Sequence, residues 1–269
     1  MRNGERMDEG PAERRARLAV SGLSRPAADP AFRARLKEEF VSGAIERPIP
    51  SRTSPRWRVA TRAWTFAAAA AALLFLLLQL NRGPALHVAA VYGDGVVETA
   101  GQPILVTDEA VLRDALRPGR ELELSGDAGI DIVYGRSMLF QIDPGSVFTP
   151  PRSPGRWIGR SVRADLEFGE IRVMTGADFP GTELAVHTPE GITLLTGTIV
   201  SIFRDSSVTC VCVFEGTARI GVDESDLEPI PHGKRKVMFR DGSPPMITDI
   251  APPHEAHLRE FEERYKDLF

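Results

Sequence analysis

The side chains with the most chemical potential are few and widely spaced. The two cysteines, Cys210 and Cys212, lie two apart in Val208-Thr-Cys-Val-Cys-Val-Phe214, a run that reads as a strand apolar on both faces. Residues two apart share a strand face, with Cα atoms roughly 6.6 Å apart, near the upper limit for a disulfide. No further Cys or His ligands follow them, so the pair reads as two buried structural thiols and not as a metal site. The five histidines are His87, His187, His232, His254 and His257. His254 and His257 stand three apart, whereas the helical metalloprotease pattern needs histidines four apart. No Gly-x-Ser-x-Gly elbow sets up a serine nucleophile, and no phosphate-cradling Gly-rich loop follows a strand. Many acidic residues fall in turns such as Gly93-Asp94-Gly95, where turn geometry accounts for them. The expectation is a non-enzyme with no catalytic residues, no cofactor and no metal.

The elements around these residues divide the 269-residue chain. Residues 1–62 form a basic tail. Within residues 1–63, 14 Arg and Lys against 8 Asp and Glu give +6, leaving −10 for the rest of a chain whose total is −4. A basic tail attracts anionic lipid or nucleic acid. Its few aromatics argue against a base-stacking platform, and the acidic remainder offers no footprint for nucleic acid. The tail holds a short basic helix at Ala12–Gly22 and a better one at Asp29–Gly43. Asp29 is placed to cap the second and Pro30 suits its first position. Phe32, Leu36 and Phe40 recur every four residues along it as one apolar stripe. Such a stripe docks on a partner, lies on a membrane surface, or belongs to a marginal helix in a disordered tail. A Pro-rich linker, Pro48–Pro55, follows.

Residues 63–81 carry no charge, and Arg62 and Arg82 close the run. Its Trp64–Leu80 core, 17 residues, would span about 26 Å as a helix. The expectation is one transmembrane helix retained as an anchor, since a signal peptide would start far nearer the N-terminus. Arg52, Arg56, Arg58 and Arg62 crowd its N-terminal flank, which keeps the tail in the cytoplasm and sends the rest across.

Beyond it, short alternating runs are punctuated by Gly, Pro and Asp, from His87–Tyr92 and Gly95–Thr99 to Val208–Phe214 and Thr217–Val222. These include Ser161–Phe168 and Ile171–Thr175 as separate strands. The pattern is mainly β. Glu109–Leu116 reads as a helical turn or two. Residues 223–269 form an extension ending in a helix, His254–Leu268, whose Leu258, Phe261, Tyr265 and Leu268 face the β domain or serve as an interaction surface.

An ordered set of pieces occurs between Leu116 and Val222. Val186-His-Thr188-Pro189-Glu-Gly191 precedes Thr196-Gly197-Thr198-Ile-Val-Ser-Ile202, and Val213-Phe-Glu215-Gly216-Thr-Ala-Arg-Ile220 follows. With a membrane anchor before it, this order resembles the FecR-domain family of bacterial envelope proteins over roughly residues 91–222. Val200 stands where the family usually has an aromatic. Thr188, Pro189, Gly197, Thr198, Glu215 and Gly216 are the motif residues, and they read as fold determinants, because glycine tolerates the positive φ of a tight turn. The resemblance implies a periplasmic β-sandwich or β-solenoid-like domain at 87–222, in a single-pass inner-membrane protein with a periplasmic C-terminus. It further implies signal transduction to an extracytoplasmic-function sigma factor held by the cytoplasmic tail, and a periplasmic partner or ligand of unknown identity. The competing expectation is a membrane-anchored binding or structural module for glycan, peptidoglycan or protein, with no part in transcription.

Overall fold

A computed structural model describes residues 29–42 and 70–269. The chain divides into two units, residues 1–65 and 66–269. In the first, α1 (Pro30–Val41) starts as its sequence dictates: the Asp29 side chain accepts a hydrogen bond from the Ala31 N–H and Pro30 opens the first turn. The expected helix at 12–22, the 48–55 linker and the first part of the expected span, residues 63–69, lie outside the described residues.

The second unit begins with α2, residues 70–80, whose leucines and Phe75 are exposed. Among the described residues no helix is long and apolar enough to cross a membrane. After it come β1 (Leu86–Tyr92), β2 (Gly95–Thr99), β3 (Gln102–Leu105) and a short α3 (Glu109–Ala115). Next are β4 (Leu122–Gly126), β5 (Gly129–Tyr134), β6 (Met138–Ile142), β7 (Val147–Thr149) and β8 (Ser161–Thr175). Then follow β9 (Glu183–Thr188), β10 (Gly191–Leu195), β11 (Ile199–Arg204), β12 (Val208–Glu215) and β13 (Thr217–Gly221). The chain closes with β14 (Glu228–Pro231), β15 (Lys234–Phe239), β16 (Met246–Asp249) and α4 (Pro252–Tyr265).

The strands form two sheets that share β8. One sheet runs β1-β5-β6-β8-β11-β12-β15-β16. The other runs β3-β2-β4-β7-β8-β9-β10-β13-β14. Every pairing is antiparallel except β8 with β9, so the arrangement is a sandwich and not a parallel solenoid. Alternate residues of both sheets meet in one core, with Ile132, Phe140, Val173 and Val200 from the first and Val97, Leu122, Leu166 and Val186 from the second. The first sheet is apolar on its other face too. There Val133, Leu139, Met174, Ile199 and Phe214 lie under Leu258 and Phe261 of α4. Coverage on both faces is why β5 and β6 are buried at every position.

Three differences from the sequence expectation follow. Ser161–Phe168 and Ile171–Thr175 are one 15-residue strand, bent at Gly169 (φ +93°) where β8 passes from one sheet to the other. A Cβ there would sit 2.2 Å from Ser146 Oγ, and that hydroxyl instead receives the Glu170 N–H at 3.0 Å. Residues 223–269 continue both sheets as β14–β16 before the helix begins. Leu268 is exposed, because a 3-10 turn at Lys266–Leu268 ends the helical stripe and brings Phe269 to the apolar cluster instead.

Candidate functional site

Three places bear on function. The first is α1, which has no buried residue. At about 100° per residue, Phe32, Leu36 and Phe40 span an arc of roughly 80°, and they are 47%, 50% and 78% exposed. Arg33, Arg35, Lys37, Glu38 and Glu39 surround them.

The second place is the set of turns that hold the motif residues. Gly197 (φ +143°) links β10 to β11 and Gly216 (φ +77°) links β12 to β13. The two turns touch: a Cβ on Gly216 would lie 2.5 Å from the Gly197 carbonyl oxygen and 3.0 Å from Thr198 Cγ2. Thr198 is buried, and its N–H donates to Thr175 Oγ1 at 2.7 Å. Glu215 is exposed and, with Gly197 and Thr198, lines a cleft of about 300 Å³ beside the end of α4. The turn Thr188–Gly191 joins β9 to β10, with the Thr188 hydroxyl donating to the Gly191 carbonyl at 3.1 Å and Pro189 exposed.

Glu190, in that same turn, is the residue the sequence reading passed over. Its side chain is 2% exposed and faces Arg204 at 3.3 Å, and it accepts a 2.8 Å hydrogen bond from the Thr209 hydroxyl. Arg204 also donates to the Glu167 carbonyl. Glu190 thus clamps a hairpin of one sheet onto β11 and β12 of the other. Burial alone would raise its pKa. The hydrogen bonds from Arg204 and Thr209, with the Arg204 charge, outweigh burial and hold the carboxyl below its usual range.

The third place is a polar row on the outer face of the first sheet. Registration sets Asp131 opposite Gln141, Gln141 opposite Arg172, Arg172 opposite Ser201, and Ser201 opposite Cys212. Arg172 donates to Gln141 at 2.7 Å and to both Asp143 oxygens at 3.0 and 2.7 Å, with Glu170 at 3.1 Å. Ser201 donates to Glu170 at 2.8 Å. Across this row, α4 supplies the Tyr265 hydroxyl, which donates to the fully buried Asp131. Burial pushes Asp131 up despite the Tyr265 and Gln141 hydrogen bonds, and burial likewise raises Asp143 despite Arg172. Tyr92, Gln141, Asp143, Arg172, His257, Glu260 and Arg264 line a cleft of about 400 Å³ along the seam.

Arg172 is neutralised by two carboxylates, and the exposed His254 and His257 line a small crevice with Ser201, whose hydroxyl is committed to Glu170. Cys212 is buried and Cys210 half-buried, both as free thiols, and the hydrogen bond with Cys210 together with burial pushes the Cys212 thiol up. Among the described residues no cluster of three or more His, Cys, Asp or Glu is placed to hold a metal. An Asp inside the apolar run Ile130–Tyr134 was the one sequence signal for this seam.

No protein-family model matches the chain, and no curated protein matches it. Among solved structures, two crystal structures of a "putative anti-sigma factor" from Parabacteroides distasonis ATCC 8503 align at 12% identity with a TM-score of 0.41. The alignment covers 48% of this chain and 59% of that one, less than two thirds of its length.

Proposed function

We propose that the chain is a single-pass inner-membrane regulator that carries an envelope signal to an extracytoplasmic-function sigma factor. Residues 63–81 cross the bilayer, the sandwich stands on the periplasmic side, and the N-terminal segment binds the sigma factor through Phe32, Leu36 and Phe40. The observation that carries this reading is the α1 stripe, three large apolar side chains on a capped helix that buries none of its residues. A helix of 12 residues gains little stability alone in water, and a partner groove supplies the burial that it lacks. The ordered Gly-Thr and Glu-Gly turns and the uncharged run before them support the same reading. No enzymatic role enters it.

The test purifies tagged full-length chain from source-cell membranes, alongside Phe32→Asp and Phe40→Asp variants. A sigma factor that co-purifies with the parent chain and is lost from both variants supports the proposal. A sigma factor retained by both variants refutes the stripe as its dock. Full signalling after replacement of residues 1–62 by an unrelated basic anchor refutes transcriptional control, and leaves an anchored periplasmic binding module.

A further inference from the structure

The end of α2 is fastened to a loop 75 residues further along. The Asn81 side-chain oxygen accepts the N–H groups of Trp157 and Ile158 at 2.9 and 3.1 Å. Its amide donates to the Ile158 carbonyl at 3.0 Å, and the Asn81 carbonyl accepts the Arg156 N–H at 3.1 Å. The loop also closes on itself, with the Gly155 N–H donating to the Gly159 carbonyl at 3.1 Å. These bonds hold the loop's backbone at the foot of α2, yet its two apolar side chains are left out: Trp157 is 61% exposed and Ile158 77%. Ile158 shares a cleft with the exposed Leu78 of α2.

Charge is arranged around the same place. Arg82, Arg152 and Arg156 are exposed, and none has an ion-pair partner among the described residues. A cleft of about 830 Å³ opens here, lined by Leu78, Asn81, Arg82, Arg152 and Ile158 among others, with Arg163 at its wall already paired with Asp165. Arginine guanidiniums above an apolar floor suit a phosphodiester headgroup whose acyl chains lie along the helix. A tryptophan with an apolar body and an N–H suits the boundary layer. A soluble anion would leave Trp157 and Ile158 unexplained, and a protein partner would leave the cleft shared with α2 unexplained.

We propose that this cleft is a lipid site: Arg82 and Arg152 hold the headgroup phosphate of an anionic phospholipid, while Trp157 and Ile158 insert into the same leaflet. The site rests on the reading that residues 63–81 cross the bilayer. It fixes the sandwich against the membrane surface at a second point, so that the domain has a set orientation to the bilayer.

The chain has three tryptophans, Trp57, Trp64 and Trp157. Two single-tryptophan versions of the full chain, made by Trp→Phe at the other two positions, are reconstituted into vesicles of phosphatidylcholine. Acyl-brominated phosphatidylglycerol is then titrated in and the fluorescence of Trp64 or Trp157 followed. Quenching of both is expected, with Trp157 responding at lower phosphatidylglycerol than Trp64 because the lipid is enriched at the loop. Arg82→Gln and Arg152→Gln should each raise the half-quenching fraction by about fivefold, the effect of one arginine at an anionic surface. Quenching of Trp64 but not Trp157 overturns the site and leaves the span standing, whereas quenching of neither overturns both. Trp157 quenching that is unchanged in the arginine variants, or that millimolar inorganic phosphate abolishes, overturns the anionic-lipid assignment.

Discussion

Removing the Glu190 carboxylate should be among the most damaging single changes to the sandwich. Glu190→Ala leaves Arg204, whose side chain is 11% exposed, with the Glu167 carbonyl as its remaining partner, and it orphans the Thr209 hydroxyl. Breaking a buried pair by deleting one member costs about 3–5 kcal/mol. For a domain of this size 1 kcal/mol moves Tm by about 2–4 °C, so the midpoint should fall by roughly 6–20 °C. Thermal unfolding of the full chain in detergent, followed by far-ultraviolet circular dichroism, reads this directly. Glu190→Gln keeps the shape and some of the hydrogen bonding, and should fall between parent and Ala. The double variant Glu190→Leu/Arg204→Met should recover most of the loss, because it removes both charges together. The sign with pH is set by the depressed Glu190 pKa. Stabilisation is present above the unfolded carboxyl value of about 4.3 and is lost as pH falls through the folded value. The gap between parent and Glu190→Gln should therefore narrow from pH 6 to pH 3. A Glu190→Ala cost below about 1 kcal/mol, far short of the figure for a buried pair, or a Gln gap that does not change with pH, would refute the clamp.

Three further outcomes are expected. Asp131 has a raised pKa from burial, so its charge costs stability that is absent below about pH 4 and grows as pH rises through the folded value; Asp131→Asn should stabilise the chain at pH 7 and lose that advantage at pH 3.5 in urea titrations. Lys236, 2% exposed, joins the sheets by donating to the Ile220 carbonyl at 2.9 Å and to Glu228 at 2.7 Å; Lys236→Met should be within about 1 kcal/mol of the parent, whereas Glu228→Ala, which strands the ammonium, should cost more, both measured by chemical denaturation. Gly169→Ala places a Cβ 2.2 Å from Ser146 Oγ and 2.5 Å from Ser146 Cα at a positive φ, and should cost about 1–3 kcal/mol or more, visible as increased amide exchange in β7 and β8.

Most strands could be read from alternation alone, because an antiparallel strand with one buried face declares itself within five or six residues. Gly95–Thr99 was legible residue for residue, and His87–Tyr92 to within one residue. Of the three strands the sequence did not announce, β15 reads Lys-Arg-Lys-Val-Met-Phe and its basic half hides it, while prolines interrupt or precede the other two. In β14, Pro229 and Pro231 are tolerated because the strand lies at a sheet edge and pairs only with β13. β16 follows Pro244 and Pro245 and pairs only with β15. At Gly169 the local signal says turn, and the tertiary fold makes it a bend in a continuous strand.

The candidate sites divide along the same line. By itself the sequence determined the period of the strands, the capped helix with Phe32, Leu36 and Phe40, the uncharged run, and the glycine turns, because each is a property of neighbours within a few residues. Only the tertiary structure decided sandwich over solenoid, since that choice rests on which strands pair and in which direction. It alone joined Glu190 to Arg204 and Thr209, and laid Tyr265 over Asp131, 134 residues apart. It alone brought Arg152, Trp157 and Ile158 to the foot of α2 beside Arg82. Contacts between distant residues depend on how the whole chain closes its core, and no local pattern of residue types encodes that closure.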